Sequence, residues 1–431
     1  MIQEEYVNRY QDLDAIEKAY GLAKTAYAKL GVDTDAAMAA AAKIPVSIHC
    51  WQGDDVVGFE GAQELSGGGI LATGNYPGRA RTGGELRADA EFAFSLIPGA
   101  KRFNVHALYA ETDGIKVGRD ELGPEHFAKW IAWSKEKKIP LDFNPSFFSH
   151  PMADSGYTLS SGDAKVREFW IRHGIASRRI ASAMGDAQGS PAVNNVWVPD
   201  GSKDLPADRA APRKRLHEAL DRIFEVKLGE STITDAVECK LFGIGSEAYV
   251  VGSHEFYMGY AATKRVKLCL DMGHFHPTET IADKISAMLL FVPGLLLHVS
   301  RGIRWDSDHV ALFSDEVRDV CREVARQNAF DRIDLALDYF DASINRIAAW
   351  AIGARSLKKA LLDALLEPTS LIREAERGGR NHERLALMEE AKTLPFSAVW
   401  DKFCLDEKAP VGPDWLTQIA EYEASILSKR N

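Results

Sequence analysis

The chain of 431 residues carries 52 Lys and Arg against 62 Asp and Glu, a formal net charge of −10, and is 46% hydrophobic with 34 Gly and 17 Pro. Such a chain buries a large core without staples, which excludes a disulfide miniprotein, a collagen-like repeat and a disordered tail protein. The acidic balance, with no basic block, argues against a nucleic-acid partner and suits a site that holds cations in carboxylates.

In chain order, the polar, acidic stretch from Met1 to Tyr20 lacks the apolar core of a signal peptide. Residues 1–42 are expected to be a helical segment rich in Ala, Leu and Lys, broken at Val32-Asp33-Thr34-Asp35. From Lys43 the pattern changes to eight short apolar runs that end in polar residues and are separated by helical stretches. They are Val46 to Trp51, Phe103 to His106, Leu141 to Asn144, Val193 to Trp197, Ala236 to Lys240, Val266 to Gly273, Leu295 to His298 and Ile333 to Asp338. Alternation of this kind predicts a parallel sheet, and eight runs predict closure into a (β/α)8 barrel with its active site at the C-terminal strand ends. An open doubly wound sheet is the alternative, but no G-x-G-x-x-G or P-loop pattern supports a nucleotide site in it.

The clusters Gly67-Gly68-Gly69 and Gly83-Gly84 mark turns in a long loop between the first two runs. After Asp341, helices are expected over Ile344 to Leu366, Thr369 to Lys392 and Asp414 to Lys429. Residues 343–431 are thus a helical extension that packs on the barrel or on a partner subunit, and 1–431 form one domain. Runs such as Met288 to Val292 are too short to span a bilayer. Cys50, Cys239, Cys269, Cys321 and Cys404 are odd in number and widely spaced. They suggest neither a disulfide framework nor a thiolate zinc site, and a cytoplasmic setting without a membrane partner is the expectation. Cys239 and Cys269, which flank candidate ligands, are taken as small hydrophobes.

Strand alternation puts Glu238 and Lys240 on one face. If that face points inward, Asp271, His298 and Asp338 from the next three runs converge with them, since neighbouring strands lie about 4.8 Å apart. Three carboxylates and an imidazole suit Mn2+, Mg2+ or Zn2+; a buried ion-pair network around Lys240 is the alternative. Beside them, His274 and the D-x-D of Asp306 and Asp308 make a second cation position plausible, with His276 more structural than ligating. Trp51, Phe59 and Trp197 offer flat apolar faces of the kind a sugar uses, whereas Phe147 and Phe148 are expected in the core. His106 and Asn144 end their runs as candidate hydroxyl binders.

Seven blocks resemble bacterial L-rhamnose isomerase: 46–55, 72–78, 142–146, 255–260, 273–279, 304–309 and 341–350. Among them are Val46-Ser47-Ile48-His49-Cys50-Trp51, Gly273-His274-Phe275-His276-Pro277-Thr278-Glu279 and Arg304-Trp305-Asp306-Ser307-Asp308-His309. The resemblance implies a xylose-isomerase-like (β/α)8 TIM barrel, commonly a homotetramer, that interconverts L-rhamnose and L-rhamnulose in L-rhamnose catabolism. It implies two divalent cations per subunit, Mn2+ with Zn2+, Co2+ or Mg2+ as substitutes. Carried over by motif, His274, Asp306 and Asp308 would ligate the catalytic ion, and Glu238, Asp271, His298 and Asp338 the structural ion that fixes the sugar.

On this expectation a metal-assisted hydride shift joins C1 and C2, and a cis-enediol route is its rival. Asp338, Lys240 and His106 would serve catalysis. Trp51, Phe59, His106, Trp197, Glu238 and Lys240 would bind the sugar, with the aromatic residues facing its C6 methyl group. Two other function classes stay open on the residues alone. A metal-dependent sugar-phosphate enzyme could use Arg301 and Arg304, and a non-catalytic sugar-binding protein would show no turnover.

Overall fold

The computed structural model describes residues 12–60, 72–243, 245–276, 278–304 and 308–430. Two helices come first, α1 (Leu13–Ala28) and α2 (Thr34–Lys43). The break expected between them is where Asp33 caps α2, its carboxylate accepting from the N–H groups of Asp35 and Ala36 at 2.9 and 3.1 Å.

The chain then alternates: β1 (Val46–His49), α3 (Gly83–Ser95), β2 (Lys101–His106), α4 (Ala128–Lys137), β3 (Leu141–Asn144), α5 (Ala164–Gln188) and β4 (Ala192–Trp197). Next come β5 (Gly201–Ser202), α6 (Ala210–Glu225), β6 (Ile233–Glu238), β7 (Tyr249–Val250), α7 (His254–Lys264) and β8 (Lys267–Asp271). The alternation ends with α8 (Ile281–Met288), β9 (Leu295–Val299), α9 (Asp315–Arg326), β10 (Ile333–Leu337) and α10 (Arg346–Leu365). Eight parallel strands close as β1-β10-β9-β8-β6-β4-β3-β2, while β5 and β7 pair antiparallel outside the barrel. All eight expected runs are barrel strands. The short β5–β7 pair was not anticipated, because two residues carry no alternation to detect.

The side chains on the two faces of each strand part company. Leu268, Leu270, Leu295, Leu297, Leu335 and Leu337 pack into the main core beneath the helices. Val193, Ala236, Cys269, Leu296 and Ala336 form a separate small cluster inside the barrel. With a period of two, the same inward face continues to Asn195, Glu238, Asp271, His298 and Asp338 at the C-terminal ends. An apolar floor thus lies directly below a polar layer.

The last helices are α11 (Thr369–Arg377), α12 (Asn381–Ala391), α13 (Phe396–Asp406) and α14 (Trp415–Ser425). The expected helix from Thr369 to Lys392 is two helices, because the chain turns at Gly378-Gly379 and Gly379 takes a left-handed φ of 68°. Helix α13 was missed, although Val399, Trp400, Phe403 and Cys404 are buried at helical spacing. These four join Ile16, Tyr20, Ala23 and Tyr27 of α1 and Leu362 of α10 in a second core. The two ends of the chain therefore share one apolar cluster at the end of the barrel's last helix.

Candidate active site

Four strand ends bring Glu238, Asp271, His298 and Asp338 together, with one ligand atom from each lying within 4.8 Å of the others. His298 Nδ1 lies 3.1 Å from Asp338 Oδ2, 3.4 Å from Glu238 Oε2 and 3.5 Å from Asp271 Oδ2. Glu238, Asp271 and His298 are buried. Burial alone raises the cost of charging these groups. It pushes the Asp271 carboxyl up, whereas at Asp338 the neighbouring His298 imidazole outweighs burial and holds the carboxyl down at about 2.

Each carboxylate divides its oxygens. Asp271 Oδ1 accepts from Gly273 N–H at 2.6 Å and from the Ser300 hydroxyl at 3.2 Å. Asp338 Oδ1 accepts from the indole Nε1 of Trp51 at 3.0 Å, and Glu238 Oε2 accepts from the Asn195 amide. The facing atoms Glu238 Oε1, Asp271 Oδ2 and both ring nitrogens of His298 are buried without a hydrogen-bond partner. Buried polar atoms are almost always satisfied, so this pattern marks the place of an absent partner. A divalent cation fits the three carboxylates and imidazole in charge and in donor type.

Asp271, His274 and Asp308 form a second group within 4.8 Å, and His274 Nδ1 lies 3.3 Å from Glu238 Oε1. The two groups therefore adjoin and share Asp271. Gly273 lets them approach: a Cβ there would lie 2.7 Å from Asp308 Oδ1 and 3.2 Å from Asp271 Oδ1. Asp306 falls outside the described residues. His276 is exposed and bonds to Thr278, apart from both groups.

Lys240 lies two residues past β6, with its ammonium 5.0 Å from the centre of the Trp197 ring. That is a cation–π geometry at the end of β4. Phe148 packs edge-on to both Trp197 and His106, at 5.7 and 5.3 Å, so it belongs to the wall of the mouth as well as to the core. Phe147 packs on Trp170 and His173, in the core as expected. Phe59 donates its N–H to Leu108 O at 2.9 Å, and its ring meets Tyr109 edge-on. His106 Nδ1 meets the Ser146 hydroxyl at 3.0 Å, and burial lowers its pKa to about 3. Asn144 Oδ1 accepts from Asn104, a buried pair at 3.0 Å. Trp51 is more than an apolar wall, since its N–H is spent on Asp338.

Sequence reasoning passed over His49 and Asn195. His49 ends β1 wholly buried, between Trp51 and Tyr339, with neither ring nitrogen hydrogen-bonded. Asn195 shares its strand face with Trp197, so alternation alone would have found it.

The motifs on these strand ends extend to the whole chain. Residues 14–430 match the family model described as L-rhamnose isomerase. The chain belongs to the L-rhamnose isomerase family. Curated relatives of that name include one from Rhodopirellula baltica, 58% identical over 96% of this chain and 97% of the relative. Another, from Yersinia pseudotuberculosis, is 56% identical over 97% of this chain and all of the relative. Among solved structures, an L-ribulose 3-epimerase is 12% identical with a TM-score of 0.47, covering 74% of this chain and 95% of that one. The barrel itself rests on its own strand pairing.

Proposed function

We propose that this isomerase-family chain interconverts L-rhamnose and L-rhamnulose in L-rhamnose breakdown, with two divalent cations bound at the strand ends. The observation that carries the metal reading is the division of oxygens at Asp271 and Asp338, one held by a protein donor and the other left facing His298, with Glu238 Oε1 unpartnered beside His274. Glu238, Asp271, His298 and Asp338 would hold one cation. His274, Asp306 and Asp308 would hold the other, with Asp271 between the two. Oxygen and imidazole donors suit Mn2+ and accept Zn2+, Co2+ or Mg2+. When bound, such ions supply Lewis-acid polarisation of the sugar oxygens.

Aldose-to-ketose conversion moves one hydrogen from C2 to C1 and one proton from O2 to O1. Lys240, steadied over Trp197, presents an ammonium to a sugar oxygen and can lend it a proton. Burial keeps His106 neutral, so it can serve as a hydrogen-bond partner in ring opening without bringing a charge to the mouth. Asp338 can take or return a proton in the same step. Trp51, Phe59 and Trp197 supply the apolar wall for the C6 methyl group. For the sugar-phosphate alternative, Arg301 donates from Nε to Val310 O at 3.2 Å, and a panel of sugars and sugar phosphates decides between the two readings. No described helix is long and apolar enough to cross a membrane, and a cytoplasmic homotetramer remains part of the proposal, to be checked by light scattering.

Chelation of the purified chain should abolish ketose formation from L-rhamnose. Mn2+ should restore it in the parent chain and not in Asp306→Asn. Deuterium placed at C2 should be retained at C1 if a hydride shifts, and exchange with solvent if an enediol forms. Folded, metal-loaded protein that yields no L-rhamnulose would sink the rhamnose reading.

A further inference from the structure

Below the carboxylate layer lies a group of side chains of different chemistry. Glu238, Cys269 and His298 each offer a ligand atom within 4.8 Å of the others, and all three residues are buried. Cys269 shares its strand face with Asp271 two residues on, so its sulfur belongs to the barrel floor with Ala236 and Leu296. Glu238 Oε1, which lies 3.3 Å from His274 Nδ1, and both His298 ring nitrogens lack a hydrogen-bond partner. The thiol is thus flanked by two buried groups with unused coordinating atoms.

We propose that this triad is a further metal position, mutually exclusive with that of Glu238, Asp271, His298 and Asp338, that selects thiophilic cations such as Cd2+. The upper set offers three carboxylates and one imidazole, a hard set. The lower set offers one carboxylate, one imidazole and one sulfur, which suits softer ions. Glu238 and His298 belong to both sets, so an ion below takes them from an ion above. On binding, the Cys269 S–H bond breaks, an S–Cd bond forms and the proton leaves to solvent. A thiophilic ion seated there leaves Asp271 and Asp338 behind, which makes it an inhibitor of the site rather than a substitute cofactor. The proposal goes beyond the isomerase reading and involves no sugar.

The test is titration of the metal-free full chain with Cd2+, followed by sulfur-to-cadmium charge-transfer absorption in the ultraviolet. The parent chain and Cys239→Ser should show the band. Cys269→Ser and Cys269→Ala should lack it, with Cd2+ affinity lowered roughly tenfold or more, the scale seen when a ligand's support is lost. Loading with Mn2+ first should suppress the band, because the two positions compete. Circular dichroism and melting of both Cys269 variants check that they fold, and the small floor residues around the site favour Ala there. A band that persists in the Cys269 variants, one that disappears in Cys239→Ser instead, or Cd2+ bound to the parent chain without a band would each overturn the proposal.

Discussion

Trp51 shows how much of a site can hang on a single N–H. Its indole nitrogen lies 3.0 Å from Asp338 Oδ1, which leaves Oδ2 3.1 Å from His298 Nδ1. A rotating carboxylate would have to be reoriented each time an ion binds, and the indole removes that freedom. Hydrogen bonds to charged groups contribute about 1.5–3 kcal/mol. Trp51→Phe keeps the ring's packing on His49 and His106 but deletes the donor. Mn2+ affinity, measured by calorimetry without sugar, should fall by about tenfold, equivalent to ~1.4 kcal/mol. Unchanged affinity would mean that Asp338 is oriented by something else. The sequence made Trp51 legible as an aromatic residue at a strand end. It could not reveal the indole's partner, because Asp338 lies 287 residues away and only barrel closure makes β1 and β10 neighbours.

Elements were legible wherever periodicity was long. The eight barrel runs stand out because each alternates inward and outward residues, and Glu238, Asp271 and His298 follow from that alternation. Lys240 did not follow in the same way, since β6 stops at Glu238 and the backbone beyond it answers to Gly252 rather than to a strand partner. The β1–α3 loop is less legible still. Asp55 and Val56 both take left-handed φ values of 63°, a conformation that disfavours a β-branched residue. The turn is pinned by Asp54, which accepts from Tyr109 Oη at 2.5 Å and Gly58 N–H at 2.7 Å, and by the Arg346–Asp55 ion pair at 2.7 Å. Left-handed backbone costs an L-residue about 1–2 kcal/mol, while burying a Val side chain contributes roughly 1.5–3 kcal/mol. Val56 is 3% exposed, so packing outweighs strain. Val56→Gly should therefore lower stability by about 1 kcal/mol in urea unfolding, despite relieving the backbone. A gain in stability would show that strain dominates.

At the scale of the whole molecule, the second core formed by α1, α13 and the end of α10 was not legible, because its partners come from opposite ends of the chain. The barrel mouth is stitched by a similar long-range device. His173 on α5 accepts from Ser146 N–H at 2.9 Å through Nε2 and meets Arg119 O at 3.0 Å through Nδ1, which tie α5 to the loops after β3 and β2. These two bonds require a neutral ring, with Nδ1 donating and Nε2 accepting. Burial lowers the His173 pKa to about 3, and repulsion from Arg119 adds to the effect. In the unfolded chain the ring titrates at about 6.5. Between those values the unfolded state binds a proton that the folded state refuses, so stability is full above about pH 6.5 and falls as the pH drops toward 3. The slope due to one such group approaches ~1.4 kcal/mol per pH unit. His49 and His106 are depressed in the same direction, so the parent chain sums several contributions. Comparison with His173→Gln, metal-free and unfolded with urea at pH values between about 4 and 6, isolates the one proton. The variant should be less stable near neutrality and lose stability less steeply in acid. Parallel slopes would mean that His173 takes up its proton as readily in the folded chain as in the unfolded one.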